Sequence, residues 1–213
     1  MKEFFKKVFT KENMKKFFLS FIWLMVLVFA LDIMSKWLVV NHFGVEAMQM
    51  GSREKEDLIT IIPNFLYIGG SINPKMAFSL GPDSRAFFIA VSVVLSIALI
   101  GFYIWKYKKL TTVERLAIAL MISGALGNLI DRAFYWPSTV GFSGVVDWIQ
   151  VFFGDYAFPM FNLADSALVV GVAILLVYVI IDSIKDGIKA SKEGQYKYSP
   201  KELKEANETK NEE

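Results

Sequence analysis

Cysteine is absent from the 213 residues, so the chain can build no disulfide, thiolate nucleophile, iron–sulfur cluster or thiolate zinc site. Histidine is almost absent. The single one, His42, cannot supply a His-rich metal site, and its place just after an apolar run suits a polar residue at a membrane interface. Charge is scarce as well: 21% of residues are charged against 54% hydrophobic, with a mean hydropathy of +0.43. That is too apolar for an ordinary water-soluble domain of this length, so a bilayer is the expected solvent. Nor does either sign of charge prevail. The 23 basic and 21 acidic residues leave +2, without the concentrated positive surface that binds nucleic acid.

What the chain has instead is long apolar runs. Residues 17–40 are apolar apart from Asp32, Ser35 and Lys36, and at about 1.5 Å per residue such a run crosses a hydrocarbon core of roughly 30 Å. Further spans are predicted at 86–105, which is uncharged throughout, at 113–134 and at 163–181. Six lysines precede the first span and no small-residue cleavage pattern follows Ala30, which predicts a retained signal anchor. Basic residues mark the cytoplasmic side. They crowd the N-terminal segment, the 106–115 turn (Lys106, Lys108, Lys109, Arg115) and the stretch after Asp182, whereas 133–162 contains no lysine or arginine at all.

Both termini are therefore expected in the cytoplasm, with segments 41–85 and 133–162 outside. Within the former, Leu58–Ile62 and Phe65–Ile68, bounded by Pro63-Asn64 and Gly69-Gly70, read as strands of a small sheet. The predicted fold class is an all-α membrane protein with four transmembrane helices plus a small extracytoplasmic β region. Residues 1–182 form the membrane domain and 183–213 a disordered cytoplasmic tail.

Ionisable residues inside or against apolar spans carry the information, since burying a charge in hydrocarbon costs at least about 2.5 kcal/mol. Asp32 and Lys36 stand four apart on one helix face and read as a structural ion pair. Asn128, Asp131 and Arg132, at i, i+3 and i+4, form a polar stripe at one end of the third span. Asn162 and Asp165 repeat the i, i+3 spacing at the start of the fourth, and Asp147 lies between the two groups in sequence. Topology puts all of them at the same membrane face. Two carboxylates meeting in a partly dry place cannot both ionise easily, so Asp147 and Asp165 could act as acid and base on water and a peptide bond. The same residues could serve a proton-coupled transporter, although such a site belongs near the midplane, or a structural cluster in a membrane assembly factor.

Three blocks read together, Gly127-Asn-Leu-Ile-Asp-Arg132, Val145-Val-Asp147 and Phe161-Asn-Leu-Ala-Asp165-Ser-Ala, resemble the lipoprotein signal peptidases, also called signal peptidase II. Asp32-Ile-Met-Ser-Lys36 and Asn73-Pro-Lys-Met-Ala-Phe-Ser79 are similar to two further blocks of that family, so the resemblance covers about residues 17–181. It implies an intramembrane aspartyl endopeptidase with Asp147 and Asp165 as the catalytic pair. Asn73, Asn128, Asp131, Arg132 and Asn162 would position substrate and dyad. The implied substrate is a prolipoprotein cut just before a diacylglyceryl-modified cysteine, and globomycin is the family's inhibitor.

No metal, cofactor or nucleic acid is expected, membrane lipid is, and the chain is read as monomeric. Two departures stand out: Lys75 and Met76 replace the family's usual Gly and Ala, and Trp136-Pro-Ser-Thr-Val-Gly-Phe lengthens the connection between Asp131 and Asp147. Phe65, Tyr67, Phe78, Trp148, Phe152 and Phe153 are aromatic groups of the outer segments that could close over a lipidated substrate.

Overall fold

The apolar runs form helices because nothing in them breaks an i→i−4 ladder, and the β-branched and aromatic runs between them form a sheet. A computed structural model describes residues 10–49, 57–73, 85–133 and 144–196. In chain order its elements are α1 (Lys11–Ser20), α2 (Ile22–Phe43), α3 (Val45–Gln49), β1 (Ile59–Ile62) and β2 (Leu66–Asn73). They continue with α4 (Arg85–Lys106), α5 (Thr112–Ala133), β3 (Val145–Phe153), β4 (Tyr156–Ala157) and α6 (Leu163–Tyr196). Among the described residues four helical stretches are long and apolar enough to cross a membrane: Ile22–Phe43, Ile89–Lys106, Thr112–Ala133 and Leu163–Lys192. At 22 residues, α2 is about 33 Å long, enough for the bilayer core. The least apolar, α5, at mean hydropathy 1.5, is also the most enclosed by protein, so its polar residues meet protein rather than lipid.

Local chemistry sets the ends of these helices. α5 opens on a reciprocal box in which Thr111 N–H donates to Glu114 Oε2 at 2.7 Å and Glu114 N–H donates to Thr111 Oγ1 at 3.3 Å, satisfying two orphan donors of the first turn. α1 and α2 are separated by Phe21, whose φ of 54° is left-handed. The Tyr103 hydroxyl of α4 donates to the carbonyl of Ser20 at that break.

The buried face of α2 is built from Asp32, Lys36, Val39 and Val40, spaced to share one side of the helix. α5 meets α6 through small residues. A side chain at Gly124 would strike the carbonyl of Ala164, and one at Gly127 would strike both Asp32 and Ala164. Only backbones this close place the end of α5 beside the start of α6.

The sheet is antiparallel in the order β1-β2-β3-β4. β2 runs on through Gly69-Gly70, where the register slips between Ile68 and Ser71, a bulge rather than the strand end expected there. β3, the partner that carries Asp147, falls in segment 133–162, for which the sequence pattern alone predicts no strand. Val146 and Trp148 of β3 pack with Val39, Val40 and Met48 to seat the sheet on the end of α2 and on α3.

The chain divides into two compact units, Met1–Ile174 and Leu175–Glu213. The first holds every element before α6 and that helix's opening turns. In the second, α6 continues to Tyr196, past the predicted span end at Ile181 and the predicted tail start at 183. Asp182 with Lys185 and Asp186 with Lys189 are spaced i, i+3, which supports a helix after the apolar run stops. Residues 197–213 lie outside the described residues.

Candidate active site

Asp147 is delivered by strand pairing. Ser71 lies opposite Asp147 and Asn73 opposite Val145, so Asn73 is the diagonal same-face neighbour of Asp147. Its Nδ2 donates to Asp147 Oδ2 at 3.2 Å. Beyond β4 the chain returns along β3: Ile149 N–H donates to the carbonyl of Phe161 at 2.8 Å, and Phe161 N–H donates back to Ile149 at 3.1 Å. That bridge sets the next residue, Asn162, against Asp147, where its Nδ2 donates to Asp147 Oδ1 at 2.7 Å.

Asn162 is also the N-cap of α6. Its Oδ1 accepts from Asp165 N–H at 2.8 Å, and Asp165 Oδ2 accepts from Asn162 N–H at 3.3 Å, a capping box of the kind that opens α5. The other oxygen of Asp165 accepts from Asn128 Nδ2 at 2.7 Å. One residue, Asn162, thus touches both carboxylates. Burial and the charge of Asp165 together push the Asp147 carboxyl up to about 7, against the opposing pull of the Asn73 and Asn162 hydrogen bonds and of Lys36.

Beneath the pair lies a buried ionic cluster. Lys36 Nζ is 2.7 Å from Asp32 Oδ2 and 2.9 Å from Asp131 Oδ2, with all three side chains fully buried, and it donates to Asn128 Oδ1 at 3.3 Å. The carboxylates of this cluster also hold backbone: Ala164 N–H donates to Asp32 Oδ1 at 2.9 Å, and Val146 N–H to Asp131 Oδ2 at 3.1 Å. Arg132 donates to Ser92 Oγ at 3.3 Å and to the carbonyl of Asn128 at 3.4 Å. Its guanidinium lies within electrostatic reach of Asp165, Asp131 and Asp147.

Every residue singled out from the sequence, Asn73, Asn128, Asp131, Arg132, Asp147, Asn162 and Asp165, is brought into this one cluster. Asp32 and Lys36 do form the expected pair, but they belong to the cluster rather than standing apart, and Lys36 is the ammonium that contacts Asp131. Sequence reasoning misses Ser92, although Ser92 and Ser96 are the two hydroxymethyl groups in an otherwise apolar run and both are buried. His42 is exposed at the end of α2, its ring edge-on to Phe43. Of the outer aromatics, Phe65 pairs edge-on with Phe153 and Tyr67 with Phe152 across the sheet. Lys75, Met76, Phe78 and the 136–142 insertion lie outside the described residues.

Four membrane-crossing helices, with two hydrogen-bonded carboxylates where strand, helix end and helix start converge, define a multi-pass membrane enzyme. Residues 24–181 match the family described as signal peptidase (SPase) II, and the chain belongs to that family. A lipoprotein signal peptidase of Listeria monocytogenes serotype 4b is 38% identical over 163 residues, covering 76% of this chain and 94% of that protein. One from Listeria innocua serovar 6a is 37% identical over the same coverage. A bacterial membrane enzyme solved by the in meso method at 2.3 Å superposes with a TM-score of 0.60 and 29% identity, over 76% of this chain and 88% of that one.

Proposed function

We propose that this protease removes signal peptides from prolipoproteins by aspartyl chemistry, cutting immediately before a diacylglyceryl-modified cysteine, with Asp147 and Asp165 as the catalytic pair. Family membership and the names of its relatives support the lipoprotein substrate. The observation that carries the catalytic assignment is the bridge through Asn162, which joins a buried carboxyl raised to about 7 to a second carboxylate on the facing helix.

Near neutral pH such a pair holds one proton between its members. The ionised carboxylate takes a proton from water as the water oxygen bonds to the scissile carbonyl carbon, while the protonated partner donates to the carbonyl oxygen. As the resulting gem-diol collapses, the ionised carboxylate takes the proton of one gem-diol hydroxyl while the other carboxyl gives its proton to the departing amine; the C–N bond breaks, and the dyad is left with one proton as at the start. No covalent enzyme intermediate forms.

Lipid would dominate recognition of the substrate. Each acyl methylene removed from water contributes about 0.8 kcal/mol, so two partly buried chains outweigh the few hydrogen bonds offered by a short peptide. The exposed rings of Phe65 and Phe153 are suited to meeting those chains at the interface. The basic segments of the sequence support a cytoplasmic N- and C-terminus, with the site at the outer face of the bacterial cytoplasmic membrane.

The test is a gel-shift assay of purified protein with a prolipoprotein carrying diacylglyceryl on its cysteine and with the unmodified form. Asp147→Asn and Asp165→Asn should each abolish cleavage in protein that still inserts, and the unmodified substrate should be cut far more slowly. Near-normal turnover by either variant would remove the dyad assignment. Equal rates on the two substrates would leave a general membrane-surface protease.

A further inference from the structure

Lysine ammonium has three N–H donors and accepts nothing. Lys36 faces three acceptors: Asp32 Oδ2 at 2.7 Å, Asp131 Oδ2 at 2.9 Å and Asn128 Oδ1 at 3.3 Å. Each partner passes the constraint on by one further bond. Asp131 holds the N–H of Val146, the residue just before Asp147. Asp32 holds the N–H of Ala164, the residue just before Asp165. Asn128, its Oδ1 turned to a group that can only donate, must present Nδ2 to the other side, where it bonds Asp165 Oδ1 at 2.7 Å.

We infer that Lys36 is a positioning residue for the reaction: a single buried ammonium that fixes both carboxyl groups of the pair, through their preceding backbone amides and through the orientation of Asn128. A plain ion pair between α2 and α5 would stabilise the bundle without this branching. Here the same charge reaches α2, α5, β3 and the start of α6, the four places whose relative position determines the gap between the two carboxyl groups. Because Lys36 acts through Asp147 and Asp165, its role rests on the proteolytic reading of that pair.

Two consequences separate positioning from stability alone. Lys36 is fully buried beneath the dyad, so Lys36→Met should lower kcat by about a hundredfold, the cost of roughly an ångström of misplacement, and leave KM within about twofold. The charged groups facing Asp147 are Asp165 from α6, Arg132 from α5 and Lys36 from α2, with Asn73 and Asn162 as neutral donors. Removing the Lys36 charge takes away one attraction for the Asp147 carboxylate, so the alkaline limb of the kcat/KM profile should move to higher pH.

Lys36→Met leaves two buried carboxylates without their shared ammonium, and the single variant is at risk of failing to accumulate. Combining Lys36→Met with Asp32→Asn keeps the buried net charge of the cluster at its native value, and the carboxamide that replaces the Asp32 carboxylate still offers an oxygen to the N–H of Ala164. That double variant should insert with near-native thermal stability yet show the same drop in kcat at unchanged KM. Wild-type kcat and an unmoved pH limb in either folded variant, with Asp147→Asn inactive alongside, would overturn the positioning role and leave the dyad standing. Activity retained by Asp147→Asn would instead remove the dyad.

Discussion

At the residue scale the decisive side chain is Asp147, and its behaviour has a definite sign. Burial and the neighbouring Asp165 raise its titration to about 7, so between the ordinary carboxylate range and about 7 the folded protein keeps a proton that the unfolded chain has released. The contribution to stability is complete below that window and is lost as pH rises through it. The unfolding midpoint in detergent should therefore decline as pH is raised from roughly 4 to 7. Asp147→Asn, which has no charge to bury, should show a flatter profile and match or exceed wild type at the alkaline end. A wild-type midpoint that rises across that range would contradict the assignment. If Asp147 and Asp165 act as proposed, the kcat/KM profile of the native enzyme should lose activity above about 7, where Asp147 gives up its proton. Asn162 carries a double duty at this scale. Asn162→Ala removes both the helix cap and the donor to Asp147, so it should cost about 1 kcal/mol for the cap alone, together with a large loss of kcat. Asn162→Asp keeps a capping oxygen but sets a third carboxylate against the pair, and calorimetry with turnover on the two variants separates the effects.

At the element scale, the helices are legible from runs of apolar residues, because a span is set by local composition and length. The stripe Asn128, Asp131, Arg132 is equally legible, since i, i+3, i+4 spacing places three side chains together whatever surrounds them. β3 is not, although Val145–Phe153 is a β-branched and aromatic run. Its strand character is completed by β2, far away in sequence, and by the return of the chain at Phe161. The same distance hides the part played by Lys36: an i, i+4 pair with Asp32 reads as complete in itself, and the contacts with Asp131 and Asn128 exist only once α2 lies on α5. Ser92 is a similar case, a lone hydroxyl whose partner is on another helix. The bond between Asn128 of α5 and Asp165 of α6 likewise depends on a close approach of the two helices at Gly124, where a side chain would meet the Ala164 carbonyl and Leu168. Gly124→Val should part the two helices at that level, lower stability by about 1–3 kcal/mol, and slow cleavage by stretching the Asn128–Asp165 bond. Thermal unfolding and turnover of the purified variant measure both, and a fully active, equally stable Gly124→Val would show that the packing does not set the site.

At the scale of the whole molecule, the membrane provides the frame, and the orientation proposed in it rests on charge. Four spans would return the chain to the side on which it began, and the proposal that this side is the cytoplasm rests on the lysines of the N-terminal segment, of the turn after α4 and of the stretch after Asp182. The stretch 133–162 between α5 and α6, which contains Asp147, has neither lysine nor arginine and so offers no charge to hold it in the cytoplasm. The proposed cleavage of a substrate already exported and still anchored would need this arrangement, with the acid pair opening where the scissile bond emerges from the lipid. The lack of native cysteine makes the arrangement directly measurable, because one introduced thiol is the only thiol present. In sealed, right-side-out cells a membrane-impermeant maleimide should label Asp155→Cys, in the turn between β3 and β4, without any disruption. It should label Lys109→Cys, in the turn between α4 and α5, and Lys192→Cys only after the cells are opened. All three positions are exposed and lie outside the polar cluster around the dyad, so the variants should keep cleaving substrate and report on native protein. Labelling of Lys109→Cys in intact cells, with Asp155→Cys protected, would invert the topology and put the acid pair on the face where no exported substrate could reach it.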